Sequence, residues 1–544
     1  MTKSNRLNVL LIMGILIGCG PSEREISKPK RPNILFIMSD DHAYQAISAY
    51  SDQLIETPNI DRIAQEGMLF TNACVTNSIC APSRATILTG KHTHVNGKID
   101  NRMPFDTTNV TFPQLFQQAG YQTAMFGKLH FGNNPTGVDD FMILPGQGSY
   151  FNPEFITSNG DTTIIGYVTD IITDMALNWL EEKRDVEKPF MLMYLHKAPH
   201  RPWWPSPEKF KEYSKKTFTE PSTLFDDYQT RGSAAKQAEM NLLNDMRYGH
   251  DSKIRPETMV EMGKVLPEIP PINWGNVDGF TGSYNRLNKE QKALYDPIVD
   301  SINLIFKTQW PQMTEEEKMR WKYQRYMQDY LGTIASVDDN VGRILDYLEE
   351  SGLAENTIVI YTSDQGFYLG EHGWFDKRFI YDESFKMPLL IKWPGVVQAG
   401  SRNDEMVQNL DFAQTMLEAA EITAPLDMQG ESIVPLLKEQ NTWTRDAVYY
   451  HYYEYPAVHM VKRHYGIVTK EYKLVHFYYD VDEWELYDRT QDMLEVTNVI
   501  NDSLYAEIVE DLKRRLLDLR VKYGDSDILD QQFIDIYREN GWIE

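Results

Sequence analysis

The chain has only three cysteines among its 544 residues, Cys19, Cys74 and Cys80. So few cannot form the disulfide framework of a small secreted scaffold, and we expect each to have its own role. Basic residues are also scarce, because 54 Lys and Arg stand against 79 Asp and Glu and give a net charge of −25. Nucleic-acid binding depends on basic side chains that neutralise phosphates, so no nucleic-acid partner is expected.

Apolar runs of transmembrane length are absent as well. Residues 7–17 form an apolar run well below the roughly 20 residues that a membrane-spanning helix needs, so we interpret residues 1–18 as a signal peptide. The run ends in Leu-Ile-Gly-Cys at Cys19, which resembles a bacterial lipobox, and residues 19–31 are then a lipidated tether. The expected location is the periplasm or the cell surface, with the protein anchored to a membrane through Cys19. The alternative is an ordinary signal peptide beside an incidental cysteine.

What the sequence does contain is a regular alternation of strand and helix patterns. Short apolar runs typical of buried strands occur at 33–38, 122–126, 189–195, 357–362 and 388–392. Amphipathic helical patterns lie between them. This alternation predicts an α/β fold with a mainly parallel central sheet flanked by helices, in which ligands gather at the carboxyl ends of the strands.

The pattern of apolar and polar residues divides the chain into two parts after the tether. Residues 32–425 form the predicted main domain, with an insertion at 203–321 where the periodicity fades. Residues 426–544 are expected to form a smaller C-terminal α+β subdomain on a short antiparallel sheet, followed by a helix at 504–523 and a tail. Substrate specificity is expected to depend on the insertion.

The most informative motif is the run from Cys80 to Gly90, which reads Cys-Ala-Pro-Ser-Arg-Ala-Thr-Ile-Leu-Thr-Gly. Pro82 and the residues after it predict a helix that begins at Cys80, where free amides and the helix dipole favour an anion and a polarised nucleophile. The run matches the Cys-x-Pro-Ser-Arg-x-x-x-Leu-Thr-Gly signature of type I sulfatases. That resemblance implies oxidation of Cys80 to formylglycine by a formylglycine-generating or anaerobic sulfatase-maturating enzyme. A buried cysteine at a helix start is the alternative, and Cys74 is expected in the core.

The resemblance to formylglycine-dependent sulfatases, members of the alkaline phosphatase superfamily, covers most of residues 32–525 and makes 32–425 the catalytic domain. Paired polar residues follow two of the predicted strands, and oxygen-rich sites of this kind suit hard cations such as Ca²⁺. The resemblance implies one Ca²⁺ ion per chain, held by Asp40, Asp41, formylglycine at Cys80, Asp364 and Gln365. Gln365 departs from the Asn or His of many relatives but keeps an oxygen ligand.

Positive charge and a proton donor are needed to cleave a sulfate ester, because negative charge develops while a poor leaving group departs. The resemblance assigns these tasks to Arg84, Lys128, His130, His200 and Lys377. Arg84, Lys128 and Lys377 would hold the sulfonyl oxygens. His200, with or without Lys377, would protonate the departing sugar oxygen. His130 would take a proton from the second hydroxyl of the hydrated formylglycine.

The substrate expected from the resemblance is a sulfated polysaccharide or oligosaccharide. The tract from residue 449 to 464 looks most like bacterial polysaccharide sulfatases and N-acetylglucosamine-6-sulfatase-like enzymes, which suggests exo-action on hexose or hexosamine sulfate. His451, Arg463 and His464 are candidate sugar contacts, with packing between domains as the alternative. Two other functions stay open: a phosphodiesterase or phosphonate monoester hydrolase of the same superfamily, and an inactive, lipid-anchored glycan-binding protein.

Overall fold

The computed structural model describes residues 1–2, 31–263 and 279–543. Cys19, nearly all of the predicted signal peptide and all of the tether except residue 31 lie outside these ranges. Within them, no helix is long and apolar enough to cross a membrane.

The elements of the described residues follow the chain in an alternating order. The strands are β1 Asn33–Ser39, β2 Met68–Phe70, β3 Ala73–Cys74, β4 Gln122–Gly127, β5 Asp140–Ile143, β6 Glu154–Thr157, β7 Gly160–Thr163, β8 Phe190–Leu195, β9 Thr357–Ser363, β10 Tyr368–Leu369, β11 Phe375–Asp376, β12 Leu389–Lys392, β13 Ser401–Asn403, β14 Val407–Gln408, β15 Ala447–Tyr452, β16 His464–Thr469, β17 Tyr472–Phe477 and β18 Glu483–Asp488. The α-helices are α1 Pro58–Gln65, α2 Cys80–Thr89, α3 Thr93–Asn96, α4 Phe112–Gln118, α5 Val168–Asn178, α6 Pro207–Tyr213, α7 Ser233–Gln237, α8 Tyr248–Ser252, α9 Pro256–Glu261, α10 Gly279–Tyr284, α11 Lys289–Gln309, α12 Glu315–Glu350, α13 Asp382–Phe385, α14 Phe412–Ala419, α15 Val434–Leu437, α16 Ala506–Tyr523 and α17 Asp527–Glu539.

A ten-stranded sheet dominates the described structure, in the order β13-β2-β12-β9-β1-β8-β4-β5-β6-β7. The central strands β9, β1, β8, β4 and β5 are all parallel, as the sequence predicts. Towards the edges the sheet becomes mixed, because β12 runs antiparallel to both β9 and β2, and β6 antiparallel to both β5 and β7. The apolar run 388–392 thus predicts a strand correctly but does not reveal its direction.

Helices cover both faces of the sheet, as the uninterrupted apolar sequence of β1 requires. Ile34, Phe36 and Met38 pack into one core cluster, which includes residues of α2, α4 and α14. Leu35 and Ile37 pack into another, with residues of α1, α5 and α12. Helix α12 begins at Glu315, where Thr314 and Glu317 form a capping box.

The C-terminal part contains the predicted antiparallel sheet, in the order β15-β16-β17-β18. Its apolar face packs with residues of α16 in a separate core cluster. The sequence predicts this antiparallel sheet and α16, but it treats α17 as a tail. The described part of the predicted insertion 203–321 is mostly helical and contains α6 to α11.

Candidate active site

Polar side chains from several central strands meet at one edge of the large sheet, where these parallel strands end. Asp41 follows β1, Lys128 follows β4, His200 lies in the loop after β8, and Asp364 follows β9. A hydrogen bond links the ends of β1 and β9, because the main-chain amide of Asp41 donates to the side-chain oxygen Oδ1 of Asp364 at 3.0 Å. The structure therefore brings together residues that are more than 300 positions apart in the sequence.

Cys80 is the first residue of α2 and is fully buried. No side chain caps this helix at Ile79, and the helix ends at Gly90 in a left-handed conformation. Cys80 Sγ lies 3.9 Å from Asp41 Oδ1. Burial raises the pKa of the Cys80 thiol well above its ordinary value, so an unmodified Cys80 is a poor nucleophile at neutral pH.

Three buried carboxylates next to Cys80 form the centre of the site. Asp40, Asp41 and Asp364 each offer an oxygen within 4.8 Å of the others. Lys377 Nζ lies 2.7 Å from both carboxylate oxygens of Asp41, and Lys128 donates to Asp40. Arg84 Nε and Nη2 each lie 2.9 Å from Asp364 Oδ2. We call these three aspartates the catalytic cluster.

The catalytic cluster has the donor set of a hard-cation site. Burial raises the pKa of Asp364 to about 7 and that of Asp41 to about 6, and the neighbouring charge of Asp40 adds to both shifts. Asp40 Oδ1 and Gln365 Oε1 are buried and accept no hydrogen bond within the described residues. Gln365 Nε2 donates to Asp41. The charges of Lys128, His200 and Arg84 hold the pKa of Asp40 well below its usual value despite burial, and Arg84 Nη2 lies 3.5 Å from Asp40 Oδ1. Buried oxygens that accept no hydrogen bond, in a cluster of three carboxylates, fit a divalent cation.

The two candidate proton-transfer histidines lie on either side of this cluster. His200 Nδ1 lies 2.6 Å from the carbonyl of Arg201, so Nδ1 carries the proton of the neutral ring. Its Nε2 lies 3.8 Å from Asp41 Oδ2. His130 adopts a positive φ of 68°, and its Nδ1 is buried without a hydrogen bond in the described structure. Burial, together with the charge of Lys128, lowers the pKa of both rings well below the ordinary value.

Several further residues touch the site and were not expected from the sequence. Gln147 accepts from Lys128, and Tyr150 donates from its hydroxyl to the carbonyl of His200 at 2.5 Å. Lys197 lies 4.8 Å from the centroid of the Tyr150 ring, and burial lowers its pKa to about 7. Gln147 follows β5, so the strand-end rule that locates the aspartates also applies to it.

A second set of polar groups surrounds Lys377. Asp376 Oδ2 lies 3.2 Å from His459 Nε2, and its Oδ1 lies 3.3 Å from Arg378 Nε. Arg378 also pairs with Glu454. The main-chain amide of Asn101 donates to that same Glu454 at 3.2 Å. Asp376 and Arg378 flank Lys377 in the sequence, which is the signal that could have identified them.

The three predicted sugar contacts lie in the C-terminal part and are almost wholly buried, at 1% exposure for His451 and 0% for Arg463 and His464. His451 contacts Asp525 at 2.9 Å and Tyr478 at 2.7 Å. His464 accepts from the amide of Ile380 at 3.2 Å and contacts the carbonyl of Lys462 at 2.8 Å.

Arg463 lies 4.4 Å from the Tyr537 ring. The structure does not bring these three side chains into contact with Cys80 or the catalytic cluster. The contacts of His451 and His464 are those of the packing alternative, because neighbouring residues already occupy both ring nitrogens of each histidine. Arg463 Nη1 and Nη2 are buried without a hydrogen bond in the described structure.

Comparison with known proteins agrees with this geometry. The family model described as Sulfatase matches residues 32–422, and one described as N-sulphoglucosamine sulphohydrolase, C-terminal, matches residues 370–522. An N-acetylglucosamine-6-O-sulfatase of Bacteroides thetaiotaomicron is 44% identical over 533 residues, covering 96% of this chain and 92% of the relative. The human N-acetylglucosamine-6-sulfatase is 24% identical over 467 residues, covering 80% of this chain and 70% of the relative.

Solved structures give the same result. One structure, of a protein in complex with its substrate D-glucosamine-2-N,6-O-disulfate, matches with a TM-score of 0.86 and 44% identity, covering 92% of this chain and 99% of that one. The phosphonate monoester hydrolase of Agrobacterium radiobacter matches with a TM-score of 0.60 at 21% identity, covering 91% of this chain and 96% of that one, and shares the fold alone. From its sequence, its fold and the arrangement of its site, the chain belongs to the sulfatase family.

Proposed function

We propose that this sulfatase removes the 6-O-sulfate of glucosamine units in sulfated glycans, acting on the terminal sugar. The observation that carries the proposal is the position of Cys80 as the first residue of α2, beside the catalytic cluster. The 44% identity to an N-acetylglucosamine-6-O-sulfatase over nearly the whole chain supports the choice of sugar and position. The complete burial of Cys80 favours a pocket that accepts one terminal sugar rather than a long internal segment.

Residue 80 would act as formylglycine, whose hydrated aldehyde supplies the nucleophilic oxygen. One Ca²⁺ ion, held by Asp40, Asp41, Asp364, Gln365 and residue 80, would supply fixed positive charge. Arg84, Lys128 and Lys377 bind the sulfonyl oxygens and offset the charge that develops in the transition state. His200 holds Nδ1–H against the Arg201 carbonyl and so presents Nε2 to the leaving oxygen. His130 would accept the proton of the second hydroxyl of the hydrated formylglycine.

Two events would precede catalysis in the cell: oxidation of Cys80, and export with acylation at Cys19. A maturation enzyme would oxidise Cys80 while its segment is still accessible, because the folded chain buries it. Export and acylation at Cys19 would place the enzyme at a membrane, in the periplasm or on the cell surface, where large glycans are met.

The test is sulfate release from positional isomers, made with protein that has been co-expressed with a maturation enzyme. N-acetylglucosamine 6-sulfate should be hydrolysed, while the 3-sulfate and N-acetylgalactosamine 4-sulfate should not. Equal rates on all three isomers would contradict the assignment of the 6-position. Faster turnover of an aryl phosphate diester than of any sulfate would favour the phosphodiesterase alternative.

A further inference from the structure

Arg201, which directly follows His200, is held in place by a residue of the insertion. Its Nε and Nη2 lie 2.6 and 2.5 Å from the two carboxylate oxygens of Asp251, in a bidentate pair. Its guanidinium carbon lies 5.1 Å from the centroid of Phe375, two residues before Lys377. Nη1 forms no hydrogen bond within the described residues. A rigidly held guanidinium with one free edge therefore lies next to the candidate general acid.

A second arginine, Arg247, lies beside the Arg201–Asp251 pair. The amide of Arg247 donates to Asp251 Oδ2 at 2.6 Å, and His250 Nδ1 lies 2.9 Å from Oδ1 of the same carboxylate. The half-buried Arg247 side chain has no hydrogen bond or ion pair in the part of the chain described here. The Arg247 amide and Arg201 Nη2 contact the same oxygen, Asp251 Oδ2, so the two arginines are neighbours. Burial and the charge of Arg201 lower the pKa of Arg247. Asp251 is the one carboxylate that forms an ion pair with Arg201 in the described structure, and the Arg247 side chain pairs with none there.

We propose that Arg201 and Arg247 form a second anion subsite, which binds a second acidic group of the glycan while its 6-O-sulfate lies at residue 80. The inference deepens the proposed function and rests on it for the reacting sulfate. Two neighbouring arginines with one carboxylate beside them leave a net positive charge, which an incoming anion would offset. Planar N–H donors suit sulfate or carboxylate oxygens. The insertion supplies Asp251 and Arg247, so it determines which glycans fit best.

The subsite is tested with a pair of substrates that differ in one charge. Glucosamine-2-N,6-O-disulfate carries a second anion, and N-acetylglucosamine 6-sulfate does not. For Arg247→Gln, the ratio of the two kcat/KM values should shift about tenfold against the disulfate, as expected for one charge-assisted contact. Arg247→Lys, which keeps the charge, should recover most of the ratio. Equal losses on both substrates would overturn the proposal.

Arg320→Gln is the matched control, because Arg320 makes a surface ion pair with Glu316 at 2.9 Å on α12. It should leave the ratio unchanged, and a similar shift there would also overturn the proposal. Arg247 is a better position to mutate than Arg201, since removal of Arg201 leaves the buried Asp251 without its bidentate partner and endangers the fold.

Calorimetric binding of the products, which lack the 6-O-sulfate, separates the subsite from the reaction. N-sulfoglucosamine should bind more tightly than N-acetylglucosamine, and Arg247→Gln should remove the difference. This result stands even when neither 6-sulfated sugar is hydrolysed, in which case the proposed function alone fails. A disaccharide of N-acetylglucosamine 6-sulfate and a uronic acid carries the second charge on the neighbouring sugar. A larger effect of Arg247→Gln on that substrate places the subsite beyond the reacting sugar.

Discussion

Among the described residues, two buried clusters have the residue types of a metal site, and one of the two has the properties of a reactive centre. The catalytic cluster contains Asp40, Asp41 and Asp364, and a C-terminal cluster contains His451, Asp525 and Asp530. In each, the potential ligand atoms lie within 4.8 Å of one another. Burial and acidic character therefore do not distinguish the two.

The difference lies in which atoms already have partners. In the C-terminal cluster, Arg520 Nη2 lies 2.7 Å from Asp530, and Nε lies 3.5 Å from Asp525. His451 uses both ring nitrogens, on Asp525 and Tyr478. The catalytic cluster leaves Asp40 Oδ1 and Gln365 Oε1 without hydrogen bonds in the described structure. Unsatisfied ligand atoms, rather than clustered acids, mark the functional site.

The largest expected effect is that of removing the nucleophile. Cys80→Ala should lower kcat for sulfate release by about 10⁶, the scale of losing a nucleophile, and should change the melting temperature little. Asp530→Asn, in the C-terminal cluster, should leave kcat within about twofold, because it touches no reacting group. Comparable losses in the two variants would remove the functional distinction between the clusters.

The next effect separates proton donation from sulfate binding within the catalytic site. His200→Ala should lower kcat/KM by about 10² to 10⁴ on a sulfated sugar and far less on nitrophenyl sulfate, whose leaving group needs no proton. Arg84→Ala should affect both substrates alike. An equal loss for His200→Ala on the two substrates would assign His200 to sulfate binding instead.

Metal binding should stabilise the protein through one cluster only. Ca²⁺ at a hundredfold excess over its Kd should raise the free energy of unfolding by about 2.7 kcal/mol. Asp364→Asn should abolish this gain, and Asp530→Asn should retain it. Thermal melts with and without a chelator measure the difference. A gain that survives Asp364→Asn but not Asp530→Asn would place the ion in the C-terminal cluster.

The smallest effect is a change in pH dependence within the C-terminal cluster. Burial raises the pKa of Asp530 from 3.8 to about 8 and lowers that of His451 from 6.5 to about 4. At pH values between the two His451 pKa values, the folded state holds a proton on Asp530 and the unfolded state holds one on His451, so the proton counts match.

Asp530→Asn removes this compensation. The unfolded state of the variant then binds one proton more than the folded state, so stability should fall on acidification, by about 1 kcal/mol per pH unit relative to wild type. Denaturant unfolding at about pH 4.5 and 6.5 measures the slope. A slope identical to that of the wild type would show that the opposite pKa shifts of Asp530 and His451 do not compensate each other.

The sequence predicts well those features that depend on local pattern. Apolar runs identify the central strands β1, β4, β8 and β9 but not β5, and the strand-end rule then brings Asp40, Lys128, His200 and Asp364 together. Contacts between distant segments cannot be predicted from the local sequence pattern. In the sequence, His451 resembles a binding residue. In the structure, Asp530 of α17, more than 70 positions later, lies 3.5 Å from its ring. The direction of β12 and the Arg201–Asp251 pair likewise depend on contacts between distant segments.

The central claim is that oxidised Cys80, beside the catalytic cluster, carries out sulfate release. The direct measurement compares preparations with different degrees of maturation, using peptide mass spectrometry of Cys80 alongside sulfate release from N-acetylglucosamine 6-sulfate. The converted peptide should be about 18 Da lighter, and kcat should rise in proportion to the converted fraction and vanish without it. Full activity in protein whose Cys80 is wholly unmodified would contradict the account.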